Sequence, residues 1–361
     1  METVRFPGSK PHYETLDGMR GLAAICIVFF HFFEYTFPDY KKSPLGHGYL
    51  AVDFFFALSG FVIGYAYDER IKTIGTGRFL LQRLIRLHPM VVFGGVLGFA
   101  AYIFNPLMDN IALAGWGKII LSFVATLLLL PMPGLPNTAG NVFPLNPPSW
   151  SLSTEYLANI FYAFVLCRLS KKLLLFVFLC FGGWLIYVAY ARGWLIEGWE
   201  GNHYFDGWAR TAFSFTAGLV LFRFKLVIRN RINMAVLLLL LAGVFASPHA
   251  DNDWIRESVI VIVVFPLLIS LAAGAVVGGW IKRFCVFIGR LSYPLYMVHY
   301  AVVALFGFYY NQYKPSGAEV SVWVAGASII IFGLTYVVMR FYDEPVRRYL
   351  VRKWVNIRQG G

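Results

Sequence analysis

The sequence predicts an all-α membrane protein: one bundle of about ten transmembrane helices over residues 1–361, with one re-entrant or partly buried segment and no appended soluble domain. Composition is the first observation behind this prediction. Hydrophobic residues make up 58% of the 361 residues and charged residues 14%, with a mean hydropathy of +0.63, whereas soluble domains carry about 25% charged residues. Soluble, coiled-coil and disordered chains are excluded, because 34 Phe, 21 Tyr and 10 Trp with so few charges leave nothing to solvate a surface.

The second observation is the alternation of apolar segments with connections of two kinds. Eleven apolar segments lie at 21–37, 49–67, 91–104, 118–131, 151–167, 173–191, 207–222, 233–247, 258–280, 287–310 and 320–341. Of the 31 Lys and Arg, 24 lie in 1–20, 68–90, 168–172, 223–232, 281–290 and 340–361. Because cytoplasmic loops carry the excess of positive charge, these segments and both termini are predicted to be cytoplasmic. The net charge of +12 then requires no nucleic-acid partner.

One of the three apolar segments between residues 91 and 167 is predicted not to cross the membrane. Basic loops at both ends of this region require an even number of crossings. The segment 91–104 has only 14 residues, and the stretch 131–148 contains six prolines and cannot be helical. We expect this region to line a cavity, since non-helical backbone at membrane depth must be satisfied by protein or water.

The cysteines indicate neither a metal site nor a disulfide framework. Cys26, Cys167, Cys180 and Cys285 lie in or beside apolar segments, without a CxxC pair or a nearby His cluster. We interpret all four as buried packing residues.

The first span carries the clearest candidate site, because ionisable side chains are costly in lipid and mark function by default. Arg20 and His31 are eleven positions apart, which places them within about 20° of one helix face and roughly 16 Å apart along the axis. Glu34, three residues after His31, is close enough to hydrogen-bond an imidazole nitrogen and set its tautomer. The alternative is a packed histidine bonded to a neighbouring helix. No small-x-small cleavage site follows before Glu34, so the segment is predicted to be retained rather than removed as a signal peptide.

The basic segment 78–89 is predicted to be an amphipathic helix lying at the cytoplasmic interface. Arg83 and Arg86 alternate with apolar residues at helical spacing. Their forked donors suit phosphate oxygens, which makes them candidates for holding a phosphate-bearing donor. Contact with anionic lipid is the alternative.

Polar residues recur in the later spans. Asp53 lies near the outer end of the second span, where a helix-cap acid is the alternative interpretation. In 146–156, one of Ser149, Ser151 and Ser153 is predicted to cap a helix, and Glu155 is buried unless it faces a cavity.

Two more predictions concern the second half of the chain. Tyr296 and His299 share a helix face, because they are three residues apart. Arg210, near the start of its span, is predicted to extend to the interface.

Five blocks in this order resemble the acyltransferase 3 family of integral-membrane O-acyltransferases. They are Leu16-Asp-Gly-Met-Arg20-Gly-Leu-Ala-Ala followed by His31, Val52-Asp-Phe-Phe-Phe-Ala-Leu-Ser-Gly60, Arg83-X-X-Arg86 ending at Pro89, Ser149-Trp-Ser-Leu-Ser-Thr-Glu155, and Ser292-Tyr-Pro-Leu-Tyr-Met-Val-His299. Asp343-Glu-Pro345 with Arg347 is similar to the family's acidic-Pro tail.

This resemblance implies transfer of an acyl group, usually acetyl, from cytoplasmic acyl-CoA to a hydroxyl of a sugar, glycolipid, polysaccharide precursor or other small acceptor. It implies a multi-pass protein of the bacterial inner membrane with no permanently bound cofactor. His31 is then the predicted general base, oriented by Glu34 or Asp53. The predicted substrate-binding residues are Arg20, Arg83 and Arg86 for the CoA donor, together with Ser149, Trp150, Glu155, Tyr296 and His299.

The competing function is a secondary transporter or exporter of a small organic acid or acylated metabolite. Buried charges and a broken helix are equally natural in transporters. No inverted repeat is visible in the sequence to support that function.

Overall fold

The computed structural model describes residues 12–356, and these residues form helices joined by short connections. The helices are α1 Glu14–Thr36, α2 Ala51–Tyr67, α3 Ile71–Ile74, α4 Thr76–Ile103, α5 Asn110–Ala114, α6 Trp116–Leu127, α7 Ser149–Phe164, α8 Lys171–Arg192, α9 Tyr204–Arg223, α10 Met234–Phe245, α11 Trp254–Val259, α12 Phe265–Gly274, α13 Gly279–Tyr313, α14 Gly317–Val338 and α15 Glu344–Val351. Helix makes up 77% of the structure. The described residues contain no strand, only an isolated bridge between Asn141 and Glu200. The all-α prediction is confirmed.

Each predicted apolar segment corresponds to a helix or to two helices in line. Between 12 and 356, seven helical stretches are long and apolar enough to cross a membrane: Glu14–Thr36, Gly48–Tyr67, Thr76–Ile103, Lys171–Arg192, Trp254–Gly274, Gly279–Tyr313 and Gly317–Val355. The predicted count of about ten is not confirmed. The two chain ends, which the charge pattern places in the cytoplasm, lie outside the described residues.

The other helices fall short of a full span for physical reasons. α6 and α10 are apolar but have 12 residues each, and α7 has 16. α9 has 20 residues, most of them buried, including Arg210 and several Ser and Thr. A helix enclosed by other helices can carry polar side chains, which a lipid-facing helix excludes. Mean hydropathy alone therefore fails to identify such a helix as a membrane span.

Helix α4 corrects two predictions at once. The basic segment 78–89 is not a separate interfacial helix, and 91–104 is not a short element, because the two form one helix of 28 residues that continues through Pro89. Proline removes one hydrogen bond from a helix interior. Two other carbonyls near Pro89 accept hydroxyls from neighbouring helices: Tyr293 donates to Leu87 O at 2.5 Å, and Tyr342 donates to Pro89 O at 3.1 Å.

The Pro-rich stretch between α6 and α7 is non-helical, as predicted. It packs closely on α4, since a Cβ added at Gly98 would lie 1.7 Å from Leu145 O. Because 91–104 belongs to the 28-residue α4, the 12-residue α6 is the short apolar element of this region. The cysteine prediction is wrong in part: Cys26 and Cys285 are buried, Cys167 is half-buried and Cys180 is exposed on α8.

Two helix pairs form the centre of the bundle. α1 packs along α13, and α2 packs along α9. The close approach of α2 and α9 is possible because Gly60 and Gly218 face the partner backbone: a Cβ on Gly60 would lie 1.9 Å from Phe215 O. These four helices carry the polar side chains described next.

Candidate active site

A hydrogen-bonded chain of three side chains lies at the end of α1. His31 Nδ1 is 2.5 Å from Glu34 Oε2, and the Tyr40 hydroxyl donates to Glu34 Oε1 at 3.1 Å. Because an ionised carboxylate only accepts hydrogen bonds, Nδ1 carries the proton and the neutral ring has its lone pair on Nε2. The predicted contact between His31 and Glu34 is confirmed. Neither side chain is sealed, since 19% of His31 and 29% of Glu34 are exposed.

Helix α13 places a second imidazole against the first. The rings of His31 and His299 stack with centroids 5.3 Å apart and planes inclined by 20°, and Tyr300 meets His31 edge-on. His299 is fully buried, and its Nδ1 donates to Leu295 O at 3.0 Å. Its Nε2 has no hydrogen-bond partner in the part of the chain that the structure describes. Two imidazoles therefore lie side by side, and among the described residues neither Nε2 has a hydrogen-bond partner.

Tyr296 connects this pair to α7. Its ring centroid is 5.8 Å from that of His299, which agrees with the predicted shared face. Its hydroxyl forms a 2.8 Å hydrogen bond with Ser151. Polar groups of α1, α7 and α13 thus converge on one region of the bundle.

Arg210 does not extend to the interface, and that prediction is wrong. The guanidinium is 1% exposed and pairs with Asp53, which is fully buried, at 2.6 Å. It also donates to Glu197 O at 2.7 Å and to Tyr49 O at 3.1 Å. The side chain lies inside the bundle because Asp53 of α2 and carbonyls of the connections that precede α2 and α9 accept its hydrogen bonds.

The Asp53–Arg210 pair also decides which acid contacts His31. Both Asp53 oxygens accept hydrogen bonds from Arg210, and Glu34 is the acid that bonds the imidazole. Asp53 is neither a helix cap nor an orienting partner of His31. It holds α2 to α9.

The start of α7 differs from the prediction that a serine caps it. The N-cap residue is Pro148, with no side-chain cap, so Ser149, Ser151 and Ser153 lie inside the first turns. Ser149 Oγ is buried without a partner among the described residues. The indole of Trp150 lies against the Arg210 guanidinium, 5.3 Å from its ring centroid. Trp150 thereby covers the ion pair of α2 and α9.

Arginines gather at the opposite end of α1. Arg20 donates to Asp17 at 2.7 Å, to Gly289 O at 2.8 Å and to Ser292 Oγ at 2.9 Å. Arg83, which is 8% exposed, bonds Glu155 at 3.0 Å. Glu155 is thus partnered rather than isolated.

Arg86 lies near enough to Arg20, Arg83 and Arg347 for its charge to act on each of them, and we call these four residues the arginine cluster. Arg347 pairs with Asp343. Arg86 is half-exposed and makes no hydrogen bond or ion pair with any residue between 12 and 356. The cluster therefore offers one uncommitted guanidinium to an anion.

Sequence reasoning missed the contributions of Tyr40, Tyr300, Arg210 and Arg347. The acidic-Pro tail was the available signal for Arg347, and Tyr300 directly follows His299. Tyr40 gave no signal, and the charge of Arg210 in a span did not identify its partners, because tertiary contacts set them.

Known proteins relate this chain to membrane acyl transfer. Residues 13–340 match the sequence model of the acyltransferase 3 family, described as "Acyltransferase domain". The chain belongs to this family, and it is an acyltransferase and an integral membrane protein. No solved structure matches it.

Two relatives extend the comparison. Over 157 residues, 41% of this chain and 79% of the relative, the chain is 39% identical to "Protein 2 in picA locus" of Rhizobium radiobacter. Over 378 residues, 92% of this chain and 57% of the relative, it is 25% identical to a protein of Staphylococcus aureus (strain COL) named "Putative O-acetyltransferase". The chain thus spans little more than half the length of the staphylococcal relative.

Proposed function

We propose that this acyltransferase moves an acyl group, normally acetyl, from cytoplasmic acyl-CoA to a hydroxyl of a carbohydrate or glycolipid, with His31 as general base. The observation that carries the proposal is the chain from Tyr40 through Glu34 to His31 Nδ1. It leaves the lone pair of Nε2 free to accept a proton. A hydroxyl ionises far above neutral pH, so its attack on a thioester needs such a base.

The proposed step is a direct transfer. Nε2 of His31 takes the hydroxyl proton while the oxygen bonds to the thioester carbonyl carbon. The carbon–sulfur bond then breaks, and the sulfur leaves as CoA thiol with the proton from the imidazolium. Glu34 stabilises the positive charge that His31 carries between these events. His299 Nε2 and Ser149 Oγ, both buried and unpartnered among the described residues, are proposed to bind substrate polar groups.

The proposed donor site is the arginine cluster. Guanidinium groups bind phosphate oxygens through paired donors, and no described residue accepts a hydrogen bond from Arg86. Arg20 and His31 lie roughly 16 Å apart along α1, which gives an extended pantetheine arm room to reach from one to the other. Arg20, Arg83 and Glu155 shape this entrance.

We further propose ten crossings with both termini cytoplasmic, in a bacterial inner membrane. α6 then remains on one side, and α7, α9 and α10 cross beside the long helices. Ion pairs between helix ends that this arrangement places on the cytoplasmic side support it. Asp68 after α2 bonds Arg223 at the end of α9, and Glu14 at the start of α1 bonds Lys282 near the start of α13.

The proposed function is tested with the protein in nanodiscs supplied with acetyl-CoA and hydroxylated acceptors. We expect release of CoA thiol that depends on the acceptor, and loss of surface-glycan acetylation in cells that lack the gene. Transport of a labelled organic acid by proteoliposomes, without thiol release for any acceptor, contradicts the proposal.

The Arg86→Ala variant is expected to raise the KM for acyl-CoA about tenfold or more, because one charge-assisted contact to phosphate is lost. Initial rates at varied acetyl-CoA and varied acceptor measure the change. Arg168→Ala is the control, since Arg168 is an exposed arginine outside the cluster. An Arg86→Ala protein in which only the KM for the acceptor rises contradicts the assignment.

A further inference from the structure

A second group of ionisable side chains lies at the other end of the bundle from the arginine cluster. His47, which precedes α2, meets Asp253 and Glu257 at the start of α11, with exposures of 0%, 6% and 0%. One ligand atom from each of these three residues lies within 4.8 Å of the other two. His249 lies beside them, with Nε2 3.8 Å from Glu257 Oε1 and Nδ1 3.8 Å from Asp253 Oδ2. We call these four residues the His47 cluster.

The imidazole of His249 is the first sign that the cluster binds a ligand. Its side chain is 9% exposed. Its Nε2 is buried and has no hydrogen-bond partner in the described part of the chain. A buried nitrogen without a hydrogen-bond partner costs free energy. A ligand bound between His249 Nε2 and Glu257 would remove this cost.

The position of His47 is the second sign. Nδ1 is 2.9 Å from Ser247 O, and a carbonyl only accepts, so Nδ1 holds a proton. Nε2 is 3.1 Å from Asp253 Oδ2 and 3.7 Å from Glu257 Oε1, and Arg256 Nη2 is 3.5 Å from the same nitrogen. A metal ion among these atoms would replace the Arg256 contact and any proton on Nε2, and would be bound by Nε2 and both carboxylates.

We propose that the His47 cluster binds one Zn²⁺ ion through His47 Nε2, His249 Nε2, Asp253 and Glu257. Zinc in proteins takes imidazole and carboxylate ligands in a tetrahedron. With zinc–ligand distances of about 2.0–2.2 Å, neighbouring ligand atoms of a tetrahedron are about 3.3–3.6 Å apart. Three of the six ligand-atom separations, at 3.1, 3.7 and 3.8 Å, lie near this range.

The surrounding groups hold the carboxylates in place, as outer contacts do in metal sites. Glu257 accepts hydrogen bonds from the Tyr49 hydroxyl and the Leu195 N–H. Asp253 accepts hydrogen bonds from the Ala250 N–H and from Arg256. Arg256 also pairs with Asp253.

Bound zinc would fix the segment that carries Tyr40. The Tyr40 ring packs against both Tyr49 and His249, and its hydroxyl bonds Glu34. An ion that joins the connection before α2 to the start of α11 therefore stabilises the partner of Glu34. The zinc site itself stands independently of the proposed acyl transfer.

The test is the zinc content of the full-length protein, purified in detergent with an affinity tag that contains no histidine. After addition of ZnCl₂ and removal of free metal, mass spectrometry measures zinc per chain, and competition with a chelating dye measures affinity. We expect one zinc per chain. His47→Gln and His249→Gln are expected to weaken binding at least about 100-fold, since each removes a ligand.

His203→Gln is the matched control. His203 forms a more exposed group with Glu197 and Glu200 that also has ligand spacing. Retention of zinc in His203→Gln and its loss in His249→Gln support the proposal. His249 Nε2 makes no hydrogen bond to any described residue, so the glutamine variant removes no such bond. A wild-type protein that binds no zinc, zinc binding that survives both cluster variants, or zinc lost only in His203→Gln overturns it.

Discussion

Replacement of His31 by glutamine is expected to lower the turnover of acyl transfer by about 10²–10⁴-fold, the usual contribution of a general base. Glutamine keeps a polar side chain at a position that is 19% exposed, so the fold should persist. The reason for the loss is that an amide does not accept the hydroxyl proton at neutral pH. Acceptor-dependent release of CoA thiol by the variant and the wild type, reconstituted at equal amounts, measures the effect.

Glu34→Gln separates the base from its orienting partner. The amide no longer fixes the proton on Nδ1 or stabilises the imidazolium, so we expect a smaller but clear loss, about tenfold or more. His203→Gln, a histidine outside the proposed active site, should retain the wild-type rate. A His31→Gln protein that folds and transfers acyl groups at the wild-type rate would refute the assignment.

Replacement of Arg210 by methionine is expected to lower the free energy of unfolding by about 3–5 kcal/mol. The variant leaves the fully buried Asp53 carboxylate without its partner. Unfolding in mixed micelles of mild detergent and SDS, followed by circular dichroism, measures the change. The cost arises from an uncompensated buried charge rather than from lost packing, because methionine retains much of the side-chain volume.

The double variant Asp53→Leu/Arg210→Met distinguishes these causes. When both charges are removed, most of the lost stability should return, since a buried ion pair itself contributes little net stability. The exposed pair of Lys41 and Asp251 provides the contrast, and Lys41→Met should leave unfolding unchanged. If the double variant is as unstable as Arg210→Met, then the carbonyl contacts of Arg210, and not its charge pairing, hold α2 to α9.

The sequence alone determined the class of protein and the local pairs. The composition predicts a membrane protein because the hydrocarbon of the bilayer excludes polar surfaces, and this constraint acts on every lipid-facing residue. The contact of His31 with Glu34 followed from a spacing of three within one helix, where geometry is fixed by the backbone. The shared face of Tyr296 and His299 followed for the same reason.

Only the tertiary structure decided which distant groups meet. Asp53 and Arg210 are 157 positions apart, and their pairing depends on the close packing of α2 and α9. The stacking of His31 on His299 likewise depends on α1 lying along α13. The number of crossings is also beyond local patterns, because enclosed helices such as α9 carry polar residues that hydropathy counts against them. The spacing of residues within a helix predicts which of them share a face. Which other helices that face contacts depends on packing across the whole bundle.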